Sequence, residues 1–212
     1  MDEKIDALDS HGRSIGQVIW KTEAHRRGVW HRCFHCWVTG LDDAGEPYLL
    51  VQRRAAGKTT WPDKLDVSVA GHLAAGEDTL DGIRELEEEL GLTPTPEELI
   101  PLGTRRIEQA IPLGCDREFH DIFLLIDDTP PQKLRLQEEE VESIIRLSLP
   151  DIENLLAGET VTVPEWRKSE EDYSRIALED FVPNEDNYLW RVAQATRRLH
   201  CGNEPGYLYG DP

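Results

Sequence analysis

The chemistry-bearing feature of this chain is the stretch Arg84-Glu85-Leu86-Glu87-Glu88-Glu89-Leu90, which packs four glutamates into seven residues. Ile83, Leu86 and Leu90 recur at helical spacing, which predicts a helix over 80–90 that stops at Gly91 with Pro94 beyond it. On that helix Glu85, Glu88 and Glu89 stand at i, i+3 and i+4 and share one face, where each like-charged pair costs roughly 0.2–0.5 kcal/mol. They also lie at the negative end of the helix dipole, where cations are favoured. From Glu85 onward the helix offers no Lys or Arg to offset them. Such a cluster suits a hard divalent cation with oxygen ligands, Mg²⁺ or Mn²⁺; the competing reading is a solvated acidic face. Upstream, Gly71-His72-Leu73-Ala74-Ala75-Gly76-Glu77 forms a strand-to-helix loop whose glycines let backbone approach a ligand closely. Glu77 is placed to reach back to Arg84.

Other candidates lie outside this stretch. Glu118, at the start of an apolar strand, is a further acid for a metal or for a proton. Arg53, Arg54, Lys58 and Lys64 are the cationic stretch before the acidic helix, suited to gripping phosphates by charge-assisted hydrogen bonds or simply to a basic surface. His25, His31 and His72 are open between structural hydrogen bonding and metal binding. The pair Cys33-x-x-Cys36 has the spacing of half a zinc site, yet residues three apart on a strand face opposite ways and no second such pair exists.

The elements that position these groups alternate. Ile5–Leu8 and Ile15–Val18 predict a hairpin, and 34–39, 48–52, 66–70, 99–110, 118–126 and 141–147 predict strands. Helices are expected at 150–156 and 186–200, with Thr129-Pro130-Pro131 and Val163-Pro164 as loops. This is an α/β (α+β) mixture, divided as a lead-in over 1–30, a core over 31–150 and a helical extension over 151–212. The aromatic residues of that extension, including Trp166, Tyr173, Tyr188, Trp190, Tyr207 and Tyr209, suit packing first, or base stacking or a dimer contact.

With 212 residues, 39% of them hydrophobic, the chain can bury one sizeable core despite a formal charge of −19. That charge argues against nucleic acid or an anionic membrane as partner. The start Met1-Asp2-Glu3-Lys4 carries no secretion pattern, the longest apolar run is Ile122–Ile126, and the four cysteines suit reduced thiols, so a cytoplasmic setting is expected.

Gly71, Glu77 and Arg84-Glu85-Leu86-x-Glu88-Glu89-x-Gly91-Leu92 resemble the Nudix box, G-x5-E-x7-R-E-U-x-E-E-x-G-U with U aliphatic. Six residues rather than seven separate Glu77 from Arg84. If the missing residue belongs to the loop, the easier place since Asp78-Thr79 resembles a helix cap, the three glutamates keep their geometry; if it belongs to the helix, what precedes it turns by about 100°. The resemblance runs over residues 3–150 and is greatest to the isopentenyl-diphosphate isomerase-like branch, through Ala24-His25, Trp30-His31-Arg32, Gln52-Arg53-Arg54, Lys58, Trp61-Pro62 and Asp66-x-Ser68-Val69-Ala70-Gly71-His72. In the isomerases, histidines matching His25, His31 and His72, with acids near Asp116 and Glu118, bind a metal. Those enzymes use a cysteine where this chain has Ala70, which cannot give or take a proton. They also typically lack the full acid set that Arg84, Glu85, Glu88 and Glu89 complete.

The resemblance therefore implies a Nudix-type α/β/α sandwich with a mixed central sheet and hydrolysis of a small-molecule diphosphate, first a nucleoside diphosphate derivative. It implies Mg²⁺ or Mn²⁺ held by Gly71, Glu85, Glu88, Glu89 and Glu118, with Arg84 orienting Glu77 and one of Glu85, Glu88 or Glu118 taking the water proton. Delta-isomerase activity and a non-catalytic diphosphate-binding module are the alternatives, and a homodimer is left open.

Overall fold

The computed structural model describes residues 2–112, 114–184 and 186–209. The chain opens with the hairpin β1 (Lys4–Leu8) and β2 (Ser14–Trp20), followed by a short helix, α1 (Lys21–Arg27). Next come β3 (His31–Leu41), β4 (Pro47–Arg54), β5 (Leu65–Asp66) and β6 (Val69–His72). A 3₁₀ turn (Thr79–Ile83) leads into α2 (Arg84–Leu90), then β7 (Ile100–Ile111), β8 (Gly114–Ile126) and β9 (Val141–Ser148). The chain continues through α3 (Leu149–Leu156), β10 (Val161–Arg167), β11 (Glu170–Ile176) and α4 (Tyr188–His200).

Apart from the first hairpin, the strands build one sheet in the order β11-β10-β9-β4-β3-β8-β7, with β5 added on β4 and β6 on β3. Only β3 and β8, among the described residues, run parallel within it, so the sheet is mixed. Pleat alternation sends Phe34, Cys36 and Val38 of β3 to one face, where they pack with Leu86 and Leu90 of α2. Trp37 goes to the other face, with Ile152 and Leu155 of α3 and Leu189 and Val192 of α4. The result is the α/β/α sandwich expected. Each fully buried Leu, Ile or Phe in these layers contributes about 1.5–3 kcal/mol.

Several elements differ from their sequence-based expectation. The strand expected over 66–70 is cut in two because Ser68 leaves the ladder: its hydroxyl accepts from the Val38 N–H (2.8 Å) and donates to the Leu50 carbonyl. The chain thereby crosses from pairing with β4 to pairing with β3. The helix expected over 80–90 starts as a 3₁₀ turn. Val163-Pro164, expected as loop, lies inside β10; the ladder to β9 begins only at Glu165, so the proline's missing N–H breaks no pairing there. The extension 151–212 is accordingly not all helical, since β10 and β11 lengthen the sheet. Helix α1 buries only Ala24, leaving no apolar period to read.

One buried carboxylate fastens that added edge. Glu165 of β10 accepts from Arg53 Nε of β4 (2.8 Å) and from the hydroxyls of Ser143 on β9 and Ser174 on β11. Burial opposes its charge, but these bonds prevail and lower its pKa from 4.5 to about 2. A depressed folded pKa gives stability that is present above the ordinary value and lost as pH falls through the folded one. At about 1.4 kcal/mol per pKa unit, the linkage is worth up to about 3 kcal/mol. Urea unfolding of wild type and Glu165→Gln is therefore expected to show a wild-type advantage at pH 7 that shrinks between pH 4.5 and 2. An advantage independent of pH would show that the charge of Glu165 does not hold the edge.

Candidate active site

The loop before α2 is tied down by its own acid. Glu77 accepts from Arg84 at Nε (2.9 Å) and Nη2 (3.2 Å) and from the Ala74 N–H (2.7 Å), while Arg84 Nη2 also donates to the His72 carbonyl (3.1 Å). The short spacer does not break this pairing. Asp78 caps the 3₁₀ turn by accepting from the N–H groups of Leu80 and Asp81. A 3₁₀ turn rises about 2.0 Å per residue against 1.5 Å in an α-helix, so fewer residues still span Glu77 to Arg84. Downstream, α2 keeps its register, with Gly91 at φ 73 closing it in the left-handed conformation.

Glu85 and Glu89 are buried and Glu88 is exposed. Burial raises Glu85 to a pKa of about 7, with Arg84 opposing and Glu88 adding to the rise. Glu89 is raised to about 8 by burial and by the charge of Glu85, while it accepts from Gln52 Nε2 (3.2 Å) and the Ala70 N–H (3.3 Å). Arg84 Nη1 reaches Glu85 (2.6 Å) and Glu88 (3.3 Å). Gly71 lies directly over Glu85: a Cβ there would come within 2.1 Å of the Glu85 carboxyl carbon. Two buried carboxyls raised by burial, a third beside them and a backbone stripped of its Cβ form an oxygen donor set that fits a hard divalent cation.

A second cluster adjoins the first through His72. His25 of α1, His31 of β3, His72 of β6 and Glu118 of β8 bring ligand atoms within 4.8 Å of one another. Strand register explains the meeting, because the parallel ladder sets His31 opposite Glu118 and the antiparallel one sets Cys33 opposite His72. Burial lowers His25 to a pKa of about 4 and His72 to about 3, which keeps both neutral and able to ligate. Glu118 is buried too, yet hydrogen bonds from His120, His31 and His72 outweigh that and hold it well below the carboxylate range. Asp116, raised to about 7 by burial and by Glu118, has an Oδ1 without a hydrogen-bond partner, 3.6 Å from His25 Nε2. Cys33 and His120 also close on Glu118; the sequence offers Cys33 only as a partner of Cys36 and does not mark His120 at all. The signal was the two-residue period, since Cys33 shares a face with His31 and His120 with Glu118.

A cleft of about 900 Å³ opens over the histidine cluster, lined by Gly71, His25, His72 and Glu118 together with Trp61, Arg105 and Tyr188. Of the four cations expected to grip phosphates, Arg54 and Lys58 line it. Arg53 does not, being spent on Glu165, and neither does Lys64, which donates to the Glu179 carbonyl (2.7 Å). Cys36 packs in the opposite face of β3 from Cys33, and all four cysteines are free. In the C-terminal region Tyr188 joins the cleft wall and Trp166 is buried, whereas Tyr173, Trp190 and Tyr207 are exposed. No helix among the described residues is long and apolar enough to cross a membrane.

A family model described as the NUDIX domain matches residues 30–166. The chain is 34% identical over 203 residues to an uncharacterized Nudix hydrolase of Clostridium acetobutylicum, covering 92% of this chain and 97% of that protein. It is 31% identical over 168 residues to an isopentenyl-diphosphate Delta-isomerase of Aliivibrio fischeri, covering 78% and 91%. Among solved structures, a Deinococcus radiodurans protein superposes with a TM-score of 0.56 at 22% identity, covering 74% of this chain and 91% of that one. A MutT/nudix family protein from Enterococcus faecalis does so with a TM-score of 0.55 at 13% identity, covering 82% and 64%. These two likenesses concern the fold alone.

Replacing Gly71 with Ala is expected to displace Glu85 and weaken Mn²⁺ binding by about 10–100-fold, the range for groups that position metal ligands. Titration calorimetry of wild type and variant, with circular dichroism to check the fold, measures this. Equal affinities would mean that the close approach of Gly71 to Glu85 has no part in holding the ion.

Proposed function

The chain belongs to the Nudix hydrolase family, and from that premise we propose that it is a divalent-metal-dependent pyrophosphohydrolase acting on an X–O–P–O–P linkage. The observation that carries this reading is the completeness of the acid set: Glu85, Glu88 and Glu89 keep their helical register and Arg84 keeps Glu77 despite the shortened spacer. Glu85, Glu88, Glu89 and the Gly71 backbone would hold Mg²⁺ or Mn²⁺. When bound, the ion neutralises diphosphate charge and acidifies a water for in-line attack.

The chain's own groups divide the remaining work. Arg54 and Lys58, on the cleft wall, would bind phosphate oxygens, and their present partners Asp66 and Glu140 keep them in place until then. Arg84 is a positioning residue, committed to Glu77 and to the His72 carbonyl. The proton acceptor would come from Glu85 or Glu88, since Glu89 is already committed to Gln52 and the Ala70 amide. Glu118 is a weaker one, since three imidazoles already stabilise its charged form. A nucleoside diphosphate derivative is the first substrate class. The four free thiols and the charge of −19 support a cytoplasmic setting without nucleic acid.

One observation favours a second reading. The His25, His31, His72 and Glu118 cluster is the ligand set that the isomerase resemblance implies, and it is assembled here. Against it stands Ala70, which leaves the allylic proton shift without one of its two acid–base partners.

Phosphate release from a panel of nucleoside and isoprenoid diphosphates with Mg²⁺ decides among these readings. Turnover of at least one diphosphate is expected, falling by about 100-fold in Glu88→Gln, whose exposed side chain leaves the fold intact. Interconversion of isopentenyl and dimethylallyl diphosphates would instead establish the isomerase, and metal-dependent binding without turnover the inert module.

A further inference from the structure

Glu118 faces two ways. Its Oε1 lies 3.3 Å from both His31 and His72 Nε2 and 3.9 Å from His25 Nε2. Its Oε2 lies 2.6 Å from His120 Nε2 and belongs to a different trio, in which Cys33, Glu118 and His120 bring ligand atoms within 4.8 Å of one another. We propose that Cys33, Glu118 and His120 form a second metal site, suited to Zn²⁺, in which Glu118 bridges to an ion held by His25, His31 and His72.

The register builds both halves from one ladder. In the parallel pairing of β3 with β8, His31 stands opposite Glu118 and, one inward-facing pair further on, Cys33 stands opposite His120. A thiolate, an imidazole and a carboxylate are the donors of a borderline-soft ion and a poor set for Mg²⁺. All three residues line the cleft, so the ion would have three protein ligands and a position open towards it, the arrangement of reactive rather than purely structural zinc. Binding exchanges the Cys33 thiol proton for the ion and releases that proton to solvent.

The alternatives explain less. His120 gives Nε2 only to Glu118, and its Nδ1 is buried without a partner, so the ring still carries an unsatisfied polar atom. Stacking on His35, with ring centroids 3.8 Å apart, holds the ring flat instead. Cys36 shows what an inert buried thiol looks like in this chain: it packs among Phe34, Val38 and Leu86. The site is also separate from the α2 glutamates, none of which lines the cleft, and it does not depend on the hydrolase reading.

Cobalt provides the test. The metal-stripped wild type titrated with Co²⁺ is expected to develop a near-ultraviolet thiolate-to-cobalt charge-transfer band. Cys36→Ser should keep that band; Cys33→Ser and Cys33→Ala should lose it together with one equivalent of bound Co²⁺, retaining the visible bands of the histidine site. Excess Mg²⁺ should leave the band in place. A folded wild type without the band at saturating Co²⁺, a band that survives Cys33→Ser, or one displaced by Mg²⁺ would each overturn the proposal. Because the readout is spectroscopic, a chain inert towards every diphosphate would still answer it.

Discussion

The parallel pairing of β3 with β8 is the constraint on which the rest of the molecule depends. Antiparallel neighbours can be joined by a tight turn, but parallel ones need a crossover that leaves the sheet and returns. Here that crossover runs from Leu41 to Gly114 and carries β4, β5, β6, the 3₁₀ turn, α2 and β7. Helix α2 therefore has to lie across one face of the sheet, buried there by Leu86 and Leu90. Pairing β6 onto β3 then brings Gly71 over Glu85 and leaves His72 beside Glu118. The helix with the acids and the strand with the histidines meet because one parallel rung forces both to the same end of the sheet.

Burial then determines what the charged groups at that end can do. Arg84 beside Glu85, and Lys58, the Ala70 amide and Arg54 beside Glu89, do not offset their desolvation, and both carboxyls rise towards neutrality. Glu118 is equally buried, yet imidazoles on both of its oxygens hold it charged. The same desolvation therefore produces one pair of acids short of counter-charge and one carboxylate kept charged by the imidazoles around it. This difference, rather than the overall charge of −19, reconciles an acidic chain with an anionic ligand. Most of the excess acid is surface, while the few acids at the site are matched to counter-charge brought from outside.

Local patterns were legible in the sequence where the residues themselves declare them. The strand alternation, the helical spacing of Ile83, Leu86 and Leu90 and the stop at Gly91 read directly into β3, β4, β7–β9 and α2. What escaped depends on pairing across distance. Pro164 looks like a breaker until its ladder to β9 is seen to begin after it. Arg53 looks like a phosphate ligand until Glu165, more than a hundred residues away, claims it. Cys33 and His120 carry no sequential relation; only the parallel register makes them neighbours. Asp78-Thr79 reads as a helix cap, which puts the short spacer in the loop; Asp78 does cap, but what it caps is a 3₁₀ turn, which belongs to neither.

The aromatic part of the cleft lining extends the same logic to the ligand. Trp37 donates its indole N–H to the Tyr188 hydroxyl (2.9 Å), and the Arg105 guanidinium lies 4.3 Å over the Tyr188 ring while pairing with Asp186 (2.7 Å). Tyr209 adds its hydroxyl to the same carboxylate (2.7 Å). This network joins β3, β7 and the segment entering α4, so a residue beyond the expected core boundary at 150 becomes part of the cleft. Under the proposed hydrolase reading the acids of α2 would act on a diphosphate, a group common to many molecules. On that reading, whatever is attached to the diphosphate would meet Trp61, Arg105 and Tyr188, a mixed surface of cation and aromatic faces.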